Sequence, residues 1–324
     1  MKISDRIKLP IAREMKEFEP FFKKELETDV PLLNLIVNYI LRRKGKQMRP
    51  MLIFLSAKLN GEINRQTYTA ATLIELLHTA TLIHDDVVDE TYQRRGFFSI
   101  NALWRSKISV LVGDYLLSTG LSKALKEDQI DVLKIVSNAV TEMSEGELLQ
   151  IEKSRYLNIT EESYYDIIRK KTATLISACT ESGAVSVNAD KEDIAKMKEF
   201  GINLGIAFQI RDDILDYKKK GVTGKPAGND IKEKKITLPL IHVLNEAKKR
   251  ERRKIIKTIS KHHKKERKIA PVIKYVVDNG GIDYARNKMH QFSEKALDIL
   301  KSYPESDTQK ALIELVDFTT KRES

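Results

Sequence analysis

The sequence predicts an all-α protein, and three features of the chain support this fold class. Apolar residues recur at helical spacing in nearly every segment of the 324 residues. No stretch shows the sustained alternation of polar and apolar residues that is typical of a β-strand. The chain has only 14 glycines and 8 prolines, and this low content of helix-breaking residues suits long helices.

Several predicted helices have recognisable ends. Pro50 follows a turn at Gly45 and fits a helix start, Thr160 offers N-cap chemistry, and the pair Gly280 and Gly281 breaks the C-terminal part. The predicted helices cover residues 7–28, 30–44, 50–60, 66–90, 101–126, 129–153, 161–187 and 191–218, with further helices between 237 and 324.

The amino-acid composition limits which classes of protein this chain could belong to. A chain that is 41% hydrophobic and 32% charged can bury a large core, and no Pro/Gly/Ser-rich linker divides it, so we expect one domain of residues 1–324. The only cysteine, Cys179, excludes an internal disulfide and lies in an apolar run that predicts burial. The N-terminal segment lacks the apolar part of a signal peptide, and no apolar run could span a membrane. We expect a soluble, cytoplasmic protein.

The net charge of +11 is concentrated in one segment. Residues 248–268 hold twelve lysines or arginines and two glutamates. Such a run is usually a solvated helix face, and weak peripheral attraction to anionic lipid is the next interpretation. No aromatic residue interleaves the run and no nucleic-acid fold motif accompanies it, so we expect no nucleic-acid partner.

One apolar helix concentrates acidic residues. Asp85, Asp86 and Asp89 lie within five positions, with Asp85 and Asp89 on one helix face. Carboxylates this close repel one another unless a cation lies between them, and Mg²⁺ takes one or two carboxylates together with water and substrate phosphate. Arg94 and Arg95 follow, with forked donors suited to phosphate oxygens. The combination indicates a diphosphate site, although a solvated acidic face would explain this cluster alone.

The acidic pattern recurs further along the chain. Asp212, Asp213 and Asp216 repeat the spacing of the first cluster, again in an apolar helical context. Two such clusters are far less expected by chance than one, because carboxylates in apolar surroundings are costly to desolvate. The repetition favours the diphosphate site over the solvated face.

The two clusters resemble the paired aspartate-rich motifs of the trans-isoprenyl diphosphate synthases, also called polyprenyl synthetases. The resemblance runs from about residue 45 to residue 239, although Lys44 stands where the family usually has glycine. The other matching motifs, in the family's order, are Gly45-Lys46 with Arg49-Pro50, His78, Lys171-Thr172, Gln209, Lys225 and Lys235.

The resemblance implies a helical bundle around a deep central cavity, usually in a homodimer. The implied reaction is Mg²⁺-dependent head-to-tail transfer of an allylic prenyl group from its diphosphate to isopentenyl diphosphate, with three metal ions. The implied metal ligands are Asp85, Asp89 and Asp212. The implied supports, which coordinate or hold ligands and waters, are Asp86, Asp213 and Asp216.

The implied substrate contacts separate into two groups. Residues on the allylic diphosphate are Arg94, Lys171, Lys225 and Lys235. Residues on isopentenyl diphosphate are Lys46, Arg49, His78 and Arg95. Thr172 and Gln209 would offer oxygen dipoles to the allylic cation, and the released diphosphate would accept the last proton.

Product length is expected to depend on the residues before Asp85. Short-chain family members carry a bulky aromatic floor at the fourth or fifth preceding position, where this chain has the small Thr81 and Ala80, with the aliphatic Leu77 deeper. Ala80 lies about 7.5 Å along the helix from Asp85. We predict an open tunnel and a product of about six to nine isoprene units, such as a quinone side-chain precursor. Tight helix packing at Ala80 stays open as an alternative, as does short-chain farnesyl or geranylgeranyl diphosphate synthesis.

Other functions fit less of the sequence. A terpene cyclase would not need Lys46, Arg49 and Arg95 for a second diphosphate. A non-catalytic subunit of a heteromeric synthase usually loses aspartates, whereas both clusters are complete here. A nucleic-acid binder would leave both clusters unexplained.

Overall fold

The computed structural model describes residues 3–42, 47–94, 96–218 and 228–321. Helices dominate these ranges, which confirms the predicted all-α class. They are α1 (Ile3–Ile7), α2 (Ala12–Lys24), α3 (Pro31–Leu41), α4 (Met48–Asn60), α5 (Arg65–Val88), α6 (Ile100–Lys126), α7 (Ile130–Tyr156), α8 (Glu161–Ile168), α9 (Thr174–Ser186), α10 (Lys191–Asp216), α11 (Asn229–Lys232), α12 (Leu238–Glu246), α13 (Lys249–His262), α14 (Glu266–Asp278), α15 (Gly281–Lys301) and α16 (Asp307–Lys321). None of the helices in these ranges is long and apolar enough to cross a membrane.

A small β-hairpin, which the sequence does not predict, follows α5. Its strands are β1 (Gln93–Arg94) and β2 (Phe97–Phe98), which pair antiparallel with Gln93 opposite Phe98. Two-residue strands are too short to show a periodic pattern, so only the structure identifies them.

Local sequence explains where several helices begin. Asn64 forms a capping box at the start of α5. Ser99 caps α6, and Thr160 caps α8 as predicted. At the predicted glycine break, α15 begins directly after Gly280, whose left-handed φ of 79° suits glycine.

Two predicted helices are interrupted. The segment predicted at 7–28 contains the last residue of α1, a 3₁₀ turn (Leu9–Ile11) and α2, which ends at Lys24. Pro10 lies in the 3₁₀ turn and has no N–H with which to continue a helix from α1. The segment predicted at 161–187 is divided by a π-helical turn (Arg169–Ala173) between α8 and α9. Such turns occur frequently at functional sites.

Contacts within the chain define two compact units. The first contains Met1–Ser137 and Ala178–Met197. Its core includes an apolar cluster to which α3, α5 and α6 contribute Ile36, Leu76 and Leu116. Cys179 is fully buried in this unit, as predicted, and burial raises the pKa of its thiol to about 12.

The second unit contains Asn138–Ser177 and Lys198–Ser324. Its core joins α10, α12 and α14 through buried residues such as Ile210, Leu240 and Val276. The second aspartate cluster and the π-helical turn belong to this unit.

A backbone distortion interrupts α6 at Arg105. This residue has φ 67° and ψ 166° between helical neighbours, a region occupied almost only by glycine. The hydroxyl of Ser109, one turn later, donates to the carbonyl of Arg105 at 3.1 Å and so satisfies a backbone acceptor at the distortion.

Replacing Arg105 with glycine should stabilise the protein. The conformation costs an arginine about 1–3 kcal/mol, and the added backbone entropy of glycine offsets only about 0.5–1 kcal/mol, so Tm should rise by a few degrees. The matched control is Lys107→Gly, an exposed helical position two residues later, which should lower Tm. Equal losses of Tm in the two variants, measured by calorimetry, would contradict strain at Arg105.

Candidate active site

The first aspartate cluster lies where α5 ends. Asp85 and Asp86 belong to the last turn, and Asp89 is the C-cap, with its N–H donating to the carbonyl of Asp85 at 2.8 Å. Asp85 and Asp89 are exposed, whereas Asp86 is 7% exposed. Val88 is 78% exposed. The desolvation cost expected from the apolar flanks therefore applies to Asp86 alone.

Hydrogen bonds from the residues between α5 and α6, and from the start of α6, hold the C-terminal end of the first aspartate cluster in place. The carbonyl of Asp86 accepts from the N–H of Thr91 at 2.9 Å and from Nδ2 of Asn101 at 3.3 Å. The hydroxyl of Ser99 donates to the carbonyl of Thr91 at 2.6 Å. These bonds tie the segment after α5 to the start of α6 and so restrain Asp89. Asn101 carries no local signal in the sequence that would identify this contact.

The second aspartate cluster occupies the last turns of α10. Asp212 is exposed, Asp213 is 4% exposed and Asp216 is half-buried. Each cluster therefore presents its first aspartate to solvent and buries its second.

Asp213 belongs to a continuous series of side-chain hydrogen bonds. Its carboxylate accepts from the hydroxyl of Tyr164 at 2.6 Å and from Nε2 of Gln209 at 2.9 Å. Oε1 of Gln209 accepts from the hydroxyl of Thr172 at 2.8 Å. Burial, with the nearby charge of Asp230, raises the pKa of the Asp213 carboxyl to about 8. The series brings the predicted residues Thr172, Gln209 and Asp213 together and adds Tyr164, which the sequence does not indicate.

Asp216 organises the segment that follows α10. Its two carboxylate oxygens accept from the N–H groups of Asn229 and Asp230, each at 3.0 Å, and its carbonyl accepts from the N–H of Gly228 at 2.8 Å. The carboxylate thus occupies the N-terminus of α11, where backbone N–H groups favour negative charge. Asp230 itself is largely buried, and burial followed by the charge of Asp216 raises its pKa to about 7.

Two glycines let α7 and α10 approach the π-helical turn closely. A Cβ on Gly205 would lie 2.5 Å from Cα of Ala173, and one on Gly146 would lie 2.8 Å from Cβ of Lys170. Because both positions lack a side chain, the turn packs directly against both helices. Lys171 and Thr172 are thereby brought within reach of polar residues on α7 and α10.

Two of the predicted lysines, Lys171 and Lys235, are held by carboxylates. Nζ of Lys171 forms an ion pair with Glu147 and donates to Oε1 of Gln150 at 3.3 Å. Nζ of Lys235 donates to Glu233 at 2.6 Å. Although burial lowers the pKa of Lys235, the hydrogen bond to Glu233 and neighbouring negative charges raise it above its ordinary value. Both ammonium groups are therefore restrained by neighbouring side chains.

In the first unit, Arg49 and His78 lie on α4 and α5. Arg49 is in the first turn of α4, as predicted, and its Nη1 lies 3.9 Å from Oε2 of Glu75. His78 is half-buried two turns before Asp85. An arginine at a helix N-terminus is positioned to meet an anion together with the helix's own N–H groups.

The residues predicted to set product length differ in burial. Ala80 and Leu77 are each 2% exposed, and Ala80 packs in the apolar cluster of the first unit with residues such as Ile100 and Leu116. Thr81 is half-buried, and its hydroxyl donates to the carbonyl of His78 at 2.9 Å. A larger side chain at Ala80 would therefore need the surrounding cluster to expand.

Three predicted residues, Lys46, Arg95 and Lys225, lie outside the described ranges, and Arg94 is described only by its backbone in β1. Among the residues that the structure does describe, no group of three His, Cys, Asp or Glu side chains could hold a metal ion. The exposed oxygens of Asp85, Asp89 and Asp212 nevertheless suit Mg²⁺, which typically binds one or two carboxylates and completes its shell with water and substrate phosphate.

Comparison with known proteins finds relatives over nearly the whole chain. The polyprenyl synthetase family model matches residues 30–276. Octaprenyl diphosphate synthase from Escherichia coli strain K12 is 34% identical over 313 residues, which cover 96% of this chain and 97% of that protein. A decaprenyl diphosphate synthase structure from Rhodobacter capsulatus matches with a TM-score of 0.92 and 33% identity, covering 99% of both chains. A polyprenyl synthase from Caulobacter crescentus CB15, solved with calcium and isoprenyl diphosphate, matches with a TM-score of 0.89 and 32% identity over 99% of this chain and 98% of that one.

Proposed function

We propose that this chain, which belongs to the polyprenyl synthetase family and is a trans-prenyltransferase, adds isopentenyl diphosphate to an allylic diphosphate and releases a medium- or long-chain all-trans polyprenyl diphosphate. The supporting observation is the shared exposure pattern of the two clusters. Asp85 and Asp212 are exposed and able to meet a ligand, while Asp86 and Asp213 are buried and held by the protein. Residues 1–324 would act as one domain, since the family model covers sequence from both units.

Asp85, Asp89 and Asp212 would hold Mg²⁺, three ions in the family pattern, because their exposed carboxylates provide only the oxygen donors that hard cations prefer. Bound there, the metal would neutralise the diphosphate that leaves the allylic carbon. Asp86, Asp213 and Asp216 would keep these ligands in position. Their contacts with Asn101, Tyr164 and α11 support that role.

Cationic side chains would bind the two substrates separately. Arg94, Lys171, Lys225 and Lys235 would contact the allylic diphosphate, and Lys46, Arg49, His78 and Arg95 would contact isopentenyl diphosphate. The restraint of Lys171 and Lys235 by glutamates favours such binding, because an ordered cation loses less entropy when it meets an anion.

Thr172 and Gln209 would stabilise the developing allylic cation. The hydroxyl proton of Thr172 is donated to Gln209, so the Thr172 oxygen can turn its lone pairs toward positive charge. Nε2 of Gln209 is engaged by Asp213, which keeps the amide from rotating. The double bond of isopentenyl diphosphate would attack this cation, and the released diphosphate would take up the last proton.

A homodimer is supported by exposed apolar residues on α6. Val110, Leu121 and Leu125 are all exposed on one side of this helix, where Asp114 and Ser118 separate Val110 from the two leucines. Exposed aliphatic side chains rimmed by polar residues in this way can mark a protein–protein contact. A second copy of the chain is the partner that a symmetric assembly would supply.

The basic segment 248–268 would give weak peripheral contact with an anionic membrane surface. Its lysines and arginines are exposed along α13, at its N-cap, in the following turn and at the start of α14. The buried, unbridged Cys179 supports a cytoplasmic location, where thiols stay reduced.

The separation of the substrate sites can be tested kinetically. Arg49→Gln should raise the KM for isopentenyl diphosphate and Lys235→Gln the KM for the allylic diphosphate, each by about tenfold or more, because each removes a charge-assisted hydrogen bond worth about 1.5–3 kcal/mol. Lys301→Gln, which removes an exposed lysine from α15, is the control. If both variants raised only the allylic KM in steady-state assays, the division into two sites would be wrong.

A further inference from the structure

The second unit contains a cavity that the proposed reaction does not use. It has a volume of about 610 Å³ and lies between the segment joining α7 to α8, helix α12 and helix α13. This volume is within the range of small-molecule sites, about 300–1,000 Å³. Of the residues assigned to the two diphosphates, those whose side chains the structure describes do not line it, although Ile236 of its wall directly follows Lys235.

The walls of the cavity are aliphatic. They consist of Leu157, Ile159, Ile236, Ile241, Leu244 and Ile256. Ile236, Ile241 and Leu244 are buried parts of the core of the unit, and the other three pack against that core. A hydrocarbon group placed here would be partly removed from water at little conformational cost, because the walls are already formed.

One edge of the cavity is strongly basic. Lys249, Arg252, Arg253 and Lys257 line it from α13, at spacings that place them along one side of the helix. All four are exposed, and within the described ranges none of them is paired with a carboxylate. Their donors are therefore available, and the guanidinium groups of Arg252 and Arg253 are suited to bidentate contact with phosphate oxygens.

Aliphatic walls beside unpaired cations suit a ligand that has both a hydrocarbon part and an anionic group. We propose that the cavity binds a single-chain phosphorylated amphiphile, such as a prenyl or alkyl phosphate or diphosphate, with its hydrocarbon part against Leu244 and Ile256 and its phosphate on Arg252 and Arg253. A nucleic acid would leave the aliphatic walls unused. A flat membrane surface would engage the exposed cations along the basic segment but would not need a concave, apolar recess.

Dodecyl phosphate is a suitable probe. Isothermal titration of the full-length protein in excess EDTA, which suppresses metal-dependent binding elsewhere, should show one saturable site. The same titration with 1-dodecanol or with inorganic phosphate should show much weaker binding, because each lacks one half of the amphiphile. Equal affinity for inorganic phosphate and dodecyl phosphate would exclude a role for the aliphatic walls.

Two charge-matched double variants locate the site. Arg252→Gln/Arg253→Gln should weaken dodecyl phosphate binding by about tenfold or more, because it removes both guanidinium groups at the cavity. Arg250→Gln/Lys254→Gln removes two exposed cations of the same helix that do not line the cavity, and it should change binding by less than about twofold. Ile256→Asn should weaken binding to dodecyl phosphate without changing net charge. Because these side chains are exposed or half-buried, circular dichroism should stay unchanged.

Co-sedimentation with dioleoylphosphatidylglycerol vesicles separates this site from general attraction to a membrane. Both double variants lose two positive charges, so they should weaken vesicle binding equally. Equal loss of dodecyl phosphate binding in both, or no loss in either, would overturn the proposal. A larger loss of vesicle binding for Arg252→Gln/Arg253→Gln would instead assign the cavity to a membrane lipid and would also overturn it.

Discussion

Replacing Asp85 or Asp212 with alanine should reduce turnover by about a thousand-fold. Removing one group that stabilises charge in a transition state typically costs about a hundred- to a thousand-fold, and we expect these aspartates to lie at the upper end of that range. Both carboxylates are exposed, so their removal leaves the packing of α5 and α10 intact. Far-ultraviolet circular dichroism and Tm should therefore stay close to those of the unsubstituted protein.

The control for these variants is Asp298→Ala, which removes an exposed carboxylate from α15 whose ion pair, among the described residues, is with the neighbouring Lys301. It should leave turnover unchanged. Unaltered activity in Asp85→Ala or Asp212→Ala, or full activity of the unsubstituted enzyme in excess EDTA, would refute metal-assisted departure of the diphosphate.

Introducing a large ring at Thr81 should shorten the product to mainly fifteen or twenty carbons. Thr81 is half-buried and lies about 6 Å along α5 from Asp85, so a tyrosine there would obstruct a tail growing away from the metals. Ala80→Tyr should have the same effect, but it should also lower Tm, because the packed cluster around Ala80 must expand at a cost of about 1–3 kcal/mol. Thr81→Tyr is therefore the clearer test.

The matched control is Thr79→Tyr, which places the same ring on a half-buried threonine two positions earlier and nearly on the opposite side of the helix. Its products should keep their length. If mass analysis of dephosphorylated products showed no shortening with tyrosine at either position 80 or 81, the floor of the tunnel would lie elsewhere.

Local patterns were sufficient to predict the helices and the acidic clusters. The segments predicted at 50–60, 66–90 and 101–126 correspond closely to α4, α5 and α6, because apolar periodicity and end signals act within one helix. The aspartates of each cluster likewise lie within five consecutive positions, so their spacing can be read from the sequence. Sequence alone thus identified which carboxylates lie together, although the burial of Asp86 and Asp213 and the exposure of their neighbours required the structure.

Contacts between distant segments could not be predicted in this way. Tyr164 and Asp213 are 49 positions apart, and the sequence near either residue contains no pattern that predicts their hydrogen bond. The π-helical turn exists where Gly146 and Gly205 let two other helices approach it, so its cause lies outside its own sequence. The distortion at Arg105 likewise contradicts local preference, since arginine disfavours that conformation.

The central claim is that this chain elongates an allylic diphosphate, and its products test that claim most directly. Purified protein should be incubated with isopentenyl diphosphate, farnesyl diphosphate and Mg²⁺, and the dephosphorylated products analysed by mass spectrometry. We expect all-trans prenols of about six to nine isoprene units, because the half-buried Thr81, about 6 Å along α5 from Asp85, presents no large ring to a growing tail. Recovery of farnesol alone, with no chain longer than the supplied starter, would contradict the claim.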